Sequence, residues 1–187
     1  MDICEKSKCT ACYACFNVCK KSAIVFKEDK YGALYPVVDS EKCVHCNACK
    51  KICPNNKKKI FNIPLKCFAA YTTDGNKRRM SASGGIGNGF AEFCIDKGGF
   101  FYGAVYKDDF EVVFKETQNF DELENFKGSK YVHSHINNTF TEIKQHLIEE
   151  KKVVFIALPC QIAGLNSFLK RNYDNLITVD LICHGVC

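Results

Sequence analysis

The chain has 187 residues, 26 basic and 21 acidic side chains for a net charge of +5, and fourteen cysteines. So modest a charge, with no aromatics interleaved among the basic residues, argues against nucleic acid as a partner. The longest clean apolar run, Val153–Leu158, is far too short to cross a bilayer, so no membrane insertion is expected.

Met1–Lys6 has no apolar signal core behind it. Fourteen thiols without an export signal imply a reducing cytosol and speak against a disulfide framework. The length suits one medium domain, or a small one and a larger one. The cysteine-rich first third is too small for a stable core without metal.

In chain order the first feature is Cys9-x2-Cys12-x2-Cys15-x3-Cys19, repeated at an offset of 34 as Cys43-x2-Cys46-x2-Cys49-x3-Cys53-Pro54. This is the bacterial ferredoxin run, which holds cubane 4Fe–4S clusters. Three cysteines three apart wrap one loop so that their thiolates converge. The fourth starts a helix pointing away, so it serves the other cluster. Cluster I would then take Cys9, Cys12, Cys15 and Cys53; cluster II would take Cys43, Cys46, Cys49 and Cys19. Soft thiolates suit iron–sulfur centres, and the small Ala11, Ala14 and Ala48 leave room for amides near the sulfides. Zinc fits poorly, since its sites pair C-x-x-C hooks or mix cysteine with histidine. Lys20 stands where the second run has Pro54, a residue that is no ligand. Oxygen-sensitive clusters point to an anaerobic or microaerobic cell. His45, within the second loop, reads as a surface residue.

Between the runs, Ile24–Val38 reads as two strands about a turn near Asp29–Gly32. Lys50-Lys51 and Lys57-Lys58-Lys59 read either as a solvated linker or as a docking patch for an acidic electron carrier. Asn55–Pro64 is a polar connector and carries the expected boundary. The domains expected are a two-cluster ferredoxin-type domain over 1–60, with repeats about 1–29 and 34–60, and a second domain over 65–187.

Cys67–Tyr71 reads as a strand. Ser81-Ala82-Ser83-Gly84-Gly85 leads into a helix over Ile86–Lys97, stopped by Gly98-Gly99. The helix start could bind an anionic phosphate, or Ser83 could simply be its N-cap. Phe100–Tyr106 and Val112–Lys115 read as a hairpin about Lys107-Asp108-Asp109, and Asp121–Phe126 as a short helix. Lys127-Gly128-Ser129-Lys130 is either a phosphate contact or a solvated turn.

Thr139–Lys151 has helical periodicity with Phe140, Ile143, Leu147 and Ile148 inward. Val153–Leu158 is a continuous apolar strand of the kind buried in parallel sheets. Pro159-Cys160-Gln161 turns into a helix over Ile162–Arg171, and Leu176–Ile182 is another buried strand. Strand, helix, strand makes a βαβ unit whose active loops lie at the strand C-termini. Those loops carry Cys160 and Cys183-His184. Cys160, Cys183 and Cys187 could converge with Cys67 or Cys94 as ligands or cofactor contacts, or be inert core thiols. The fold class expected is α+β: a ferredoxin-like two-cluster module, then an α/β domain with a mixed sheet and a βαβ unit.

Four segments follow the cysteine runs in a telling order: Ser81–Gly85, Lys127–Val132, Leu158-Pro159-Cys160-Gln161-Ile162-Ala163-Gly164-Leu165 and Asp180–Val186. Together they resemble the coenzyme F420 hydrogenase/dehydrogenase beta-subunit family in its bacterial form with a fused two-cluster ferredoxin. The resemblance implies an iron–sulfur flavoprotein oxidoreductase subunit that binds FAD and exchanges electrons with a redox partner protein or small hydride carrier. It implies flavin contacts at Ser81, Ser83, Gly84, Gly85, Lys127, Ser129, Lys130, Cys160, Gln161, Cys183 and His184. Family members continue past His-Gly-Val, so the chain is expected to be truncated and its flavin domain incomplete. The alternative is a non-catalytic ferredoxin-like carrier that has lost its flavin site. Homo- or hetero-oligomers are both open.

Overall fold

The computed structural model describes residues 1–58 and 63–185. Lys59, Val186, Cys187 and the middle of the Asn55–Pro64 connector lie outside the described residues.

The N-terminal module repeats itself in backbone as well as sequence. Each cysteine loop turns through two left-handed residues at matching positions: Ala11 (φ 47°) and Tyr13 (φ 61°), then His45 (φ 52°) and Asn47 (φ 59°). Each loop runs into a short helix, α1 (Ala14–Val18) or α2 (Ala48–Ile52). Between them β1 (Ile24–Glu28) and β2 (Leu34–Val38) pair antiparallel, with Ile24 opposite Val38. The Asp29 carboxylate ties the turn by accepting from the amides of Tyr31 and Ala33. A bulky side chain in the left-handed region is strained. Tyr13 is held there by its ring, stacked 3.9 Å from Phe26.

The rest is an α/β domain. It comprises α3 (Gly75–Arg79), α4 (Ile86–Asp96), β3 (Phe100–Tyr106), β4 (Val112–Thr117), a 3-10 helix over Phe120–Phe126 and β5 (Ser134–His135). There follow α5 (Thr139–Ile148), β6 (Val153–Ala157), α6 (Pro159–Leu169) and β7 (Leu176–Asp180). The sheet order is β5-β4-β3-β6-β7, parallel throughout except for the β3–β4 hairpin.

Strand β6 is apolar on both faces because both are covered. Val153, Phe155 and Ala157 face a core shared with α5 and α6, while Val154 and Ile156 face α4 and the 3-10 helix. The N-terminal module enters the first of these cores: Cys12, Tyr13, Ala14 and Ile52 are buried with Phe140, Phe155, Ile162 and Leu165. Polar ties reinforce the junction. Asn17 donates to the Asn137 carbonyl at 2.7 Å, its Oδ1 accepts from the Thr141 amide and hydroxyl, and Lys57 reaches Ser167 Oγ at 2.9 Å.

Several expectations need correction. Cys67–Tyr71 is not a strand; it is exposed, with Phe68 82% accessible, and has no ladder partner. Its neighbour Thr72 instead donates to the Gly84 carbonyl, and a Cβ on Gly84 would lie 2.7 Å from the Ala70 carbonyl. That close approach needs glycine, and the helix cap falls on Gly85 (φ 80°) rather than Ser83. Helix α3, not foreseen, starts where Asp74 accepts from the amides of Asn76 and Lys77.

Ile148 ends α5 and faces solvent rather than the core. Helix α6 begins at Pro159, three residues early, because proline suits the first helical position and the Gln161 side chain accepts the Leu158 amide. Strand β7 stops at Asp180 and is only half-buried, with Ile182 91% exposed, since it is an edge with one partner. The two-residue strand β5 was too short to leave a periodic signal.

Candidate iron–sulfur centre

Five cysteines line one small pocket, partly open to solvent: Cys4, Cys9, Cys12, Cys15 and Cys53, with Ile3, Phe26 and Pro36 as apolar walls. Against expectation the fourth cysteine of each run ends a helix rather than starting one: Cys19 is the C-cap of α1 and Cys53 that of α2, and α2 carries Cys53 away from its own loop into this pocket. Burial first, then the nearby Cys53, Cys160 and Cys9 sulfurs, pushes the Cys12 thiol up to about 12. Burial and the neighbouring Cys12, Cys9 and Cys53 raise Cys15 further. In the second frame, burial and the adjacent Cys46 and Cys19 raise Cys49. Cys19 is the C-cap of α1, and its sulfur accepts the Ala23 amide at 3.4 Å. Cys43 follows Asp39, whose carbonyl accepts its amide.

Crowded thiols of this kind cannot all ionise beside one another without a cation. A coordinated metal deprotonates them outright. The donor sets therefore fit iron–sulfur clusters. Among the described residues no three His, Cys, Asp or Glu side chains surround a single metal-ion position. Thiolates on a cubane each bind a different iron, so they stand around a larger body.

The two frames differ in surroundings. Cys12 and Cys15 are each 7% exposed, whereas Cys46 is open to solvent beside the exposed His45. The first loop is covered by α6. A Cβ on Gly164 would lie 3.0 Å from the Cys12 carbonyl and 3.2 Å from its sulfur, so glycine permits the approach. Thr10 lies near the Cys160 sulfur, and burial, then Cys183, raises the Cys160 thiol. Cys183 and His184 are exposed, with the Gly185 amide donating to the Cys183 sulfur at 3.3 Å.

Strands β3, β6 and β7 run parallel, so their C-terminal ends form one edge of the sheet, where open α/β sheets bind ligands. Cys160 and Cys183 follow β6 and β7 there. Lys130 reaches that edge over the Tyr106 ring at the end of β3, and a Cβ on Gly87 in the first turn of α4 would lie 3.8 Å from Ile156. The edge thus carries the loops after β6 and β7 and is reached by Lys130, whereas Gly84 and Gly85 pack on Ala70–Thr72. Some groups of the four segments that carry the family resemblance are already engaged. The Lys130 ammonium donates to the carbonyls of Phe126, Lys127 and Gly128, Ser81 donates to the Lys77 carbonyl, and Lys127 pairs with Glu124. Gln161 is buried, with Nε2 on Ser134 Oγ and Oε1 on the Leu158 amide, which makes it a brace of the loop. Ser83 and Ser129 are exposed, Gly84 and Gly85 partly so.

Sequence reasoning missed the groups that surround the first loop. The Tyr13 hydroxyl lies 2.6 Å from His135 Nδ1, whose Nε2 faces Glu111 at 3.3 Å. His133 lies near Ala11, and among the described residues its Nε2 is buried without a hydrogen-bond partner. Burial, then His135, lowers the His133 pKa. The alternation of His133 and His135 on an extended segment was the only available signal. Cys4 gave none, lying outside the repeated spacing.

No curated protein matches the chain. No helix among the described residues is long and apolar enough to cross a membrane. Residues 8–57 match the family of the 4Fe-4S dicluster domain. That domain and its cysteines imply two 4Fe–4S clusters, and through it the chain transfers electrons.

Proposed function

We propose that this chain is an oxidoreductase subunit of the coenzyme F420 hydrogenase/dehydrogenase beta-subunit type, exchanging electrons between its two clusters and a flavin or hydride carrier in a reducing cytosol. Cys9, Cys12, Cys15 and Cys53 hold the first cluster; Cys43, Cys46, Cys49 and Cys19 hold the second. The ferredoxin-type domain spans 1–60 and the flavin domain begins near 65. The clusters supply single-electron transfer, and FAD, when bound, supplies the exchange between one and two electrons.

The observation that carries this reading is the contact of the Cys12 loop with α6, whose first turn is the Pro159-Cys160-Gln161 block. The buried loop touches the segment most specific to the resemblance. The exposed Ser83 and Ser129 hydroxyls and the partly open Gly84 and Gly85 backbone are left to meet an anionic cofactor. Exposed Cys46, beside Lys50 and Lys51, offers the second cluster to a redox partner protein with an acidic face.

Anaerobic iron, sulfide and flavin quantification on one sample tests this. About eight irons with bound FAD, bleached by a low-potential donor, is the expected result. Eight irons with reversible reduction and no flavin uptake, even when FAD is supplied, would leave the non-catalytic ferredoxin-like carrier as the reading.

A further inference from the structure

The first pocket contains one thiol more than a cubane requires. Cys4 lines it together with Cys9, Cys12, Cys15 and Cys53, although it belongs to neither repeated run. Cys9 and Cys53 share the pocket wall with it.

The backbone holds Cys4 in that position. Ile3 is buried against Cys15, Ile24, Cys49 and Cys53, and Cys4 packs at the margin of the same cluster. Asn56 fastens the segment, donating through Nδ2 to the Ile3 carbonyl at 2.9 Å and to the Lys50 carbonyl at 3.0 Å. The same short stretch of chain thus fixes both Cys53 and the residue beside Cys4. Ile3 does the apolar packing here, so a side chain of cysteine's chemistry is not needed at position 4 to fill space. A half-buried thiol lining one pocket with four others is matched instead to a soft metal.

We propose that Cys4 is a reserve ligand of the first cluster, able to take the iron left by Cys53 or by Cys9. The inference rests on the ligand assignment given above. No electron is required: an S–Fe bond forms at Cys4, its thiol proton passes to water, and the metal replaces the proton.

Alanine variants of the full chain, reconstituted anaerobically, test this by iron and sulfide content and by the electron paramagnetic resonance of the reduced protein. Cys53→Ala and Cys9→Ala should each keep about eight irons, with an altered first-cluster signal. Adding Cys4→Ala to either should remove one cluster and halve the iron. Cys4→Ala alone should keep both clusters. If both single variants fall to half the iron while retaining native circular dichroism, the reserve role is overturned. Should one of them fail to fold, the other carries the test. Loss of a cluster from Cys4→Ala alone would make Cys4 a permanent ligand, and the assignment itself would fail.

Discussion

The two cysteine loops have the same spacing, the same pair of left-handed residues and the same short helix, yet one is inside the protein and the other outside. Tyr13 and Asn47 occupy equivalent positions. Tyr13 is buried against Phe26 and His135, while Asn47 is exposed. Duplicated local geometry therefore sets how a cluster is gripped, and the residues at the variable positions set what it touches. Water around the second loop favours the extra negative charge that reduction adds, and burial of the first opposes it.

The largest test removes one loop at a time. Cys12→Ala and Cys46→Ala should each lose about half the iron. Only Cys12→Ala should also lower the thermal unfolding midpoint of the α/β domain, because Cys12 belongs to its core. In a potentiometric titration the cluster left by Cys46→Ala should be reduced at a more negative potential than the cluster left by Cys12→Ala. The reverse order would remove solvent exposure as the cause of their difference.

A smaller effect is expected at the contact itself. Gly164→Val pushes side-chain atoms onto Cys12 and should cost about 1–3 kcal/mol in denaturant unfolding. It should disturb the resonance of the first cluster and leave that of the second unchanged. Tyr13→Phe removes the hydrogen bond to His135 and should cost about 1 kcal/mol. Asn47→Gly, at the equivalent outer position, should change stability by only a few tenths of a kcal/mol, since glycine accepts the left-handed backbone without strain.

The smallest effect is pH-dependent. His133 is held neutral in the fold by burial, with its pKa lowered below the ordinary 6.5. The unfolded chain takes up that proton first as pH falls through about 6.5. Stability is therefore present above 6.5 and declines below it, until the folded ring is protonated too. Melting curves at pH 7.5 and 6 should separate more for the native chain than for His133→Gln; equal separation would discount the burial.

The repeated cysteines made the ferredoxin module legible, because ligand spacing is local. The β3–β4 hairpin, the buried β6 and the βαβ unit were legible as well, since runs such as Val153–Ala157 report burial on both faces. What escaped was set by partners distant in sequence. Residues 67–71 look like a strand but meet no neighbour, while Ser134–His135 pair with β4 despite having no period. Tyr13 meets His135 across 122 residues. Gly164 matters only because Cys12 lies against it. Cys4 escaped because it lies outside both repeated runs.

The common core of the two parts has a consequence for the life of the protein. A chain that loses its inner cubane to oxygen would also loosen the wall formed by Phe140, Phe155 and Leu165, and protease-accessible apolar surface would follow. Losing the inner cubane and loosening the α/β domain would then be a single event.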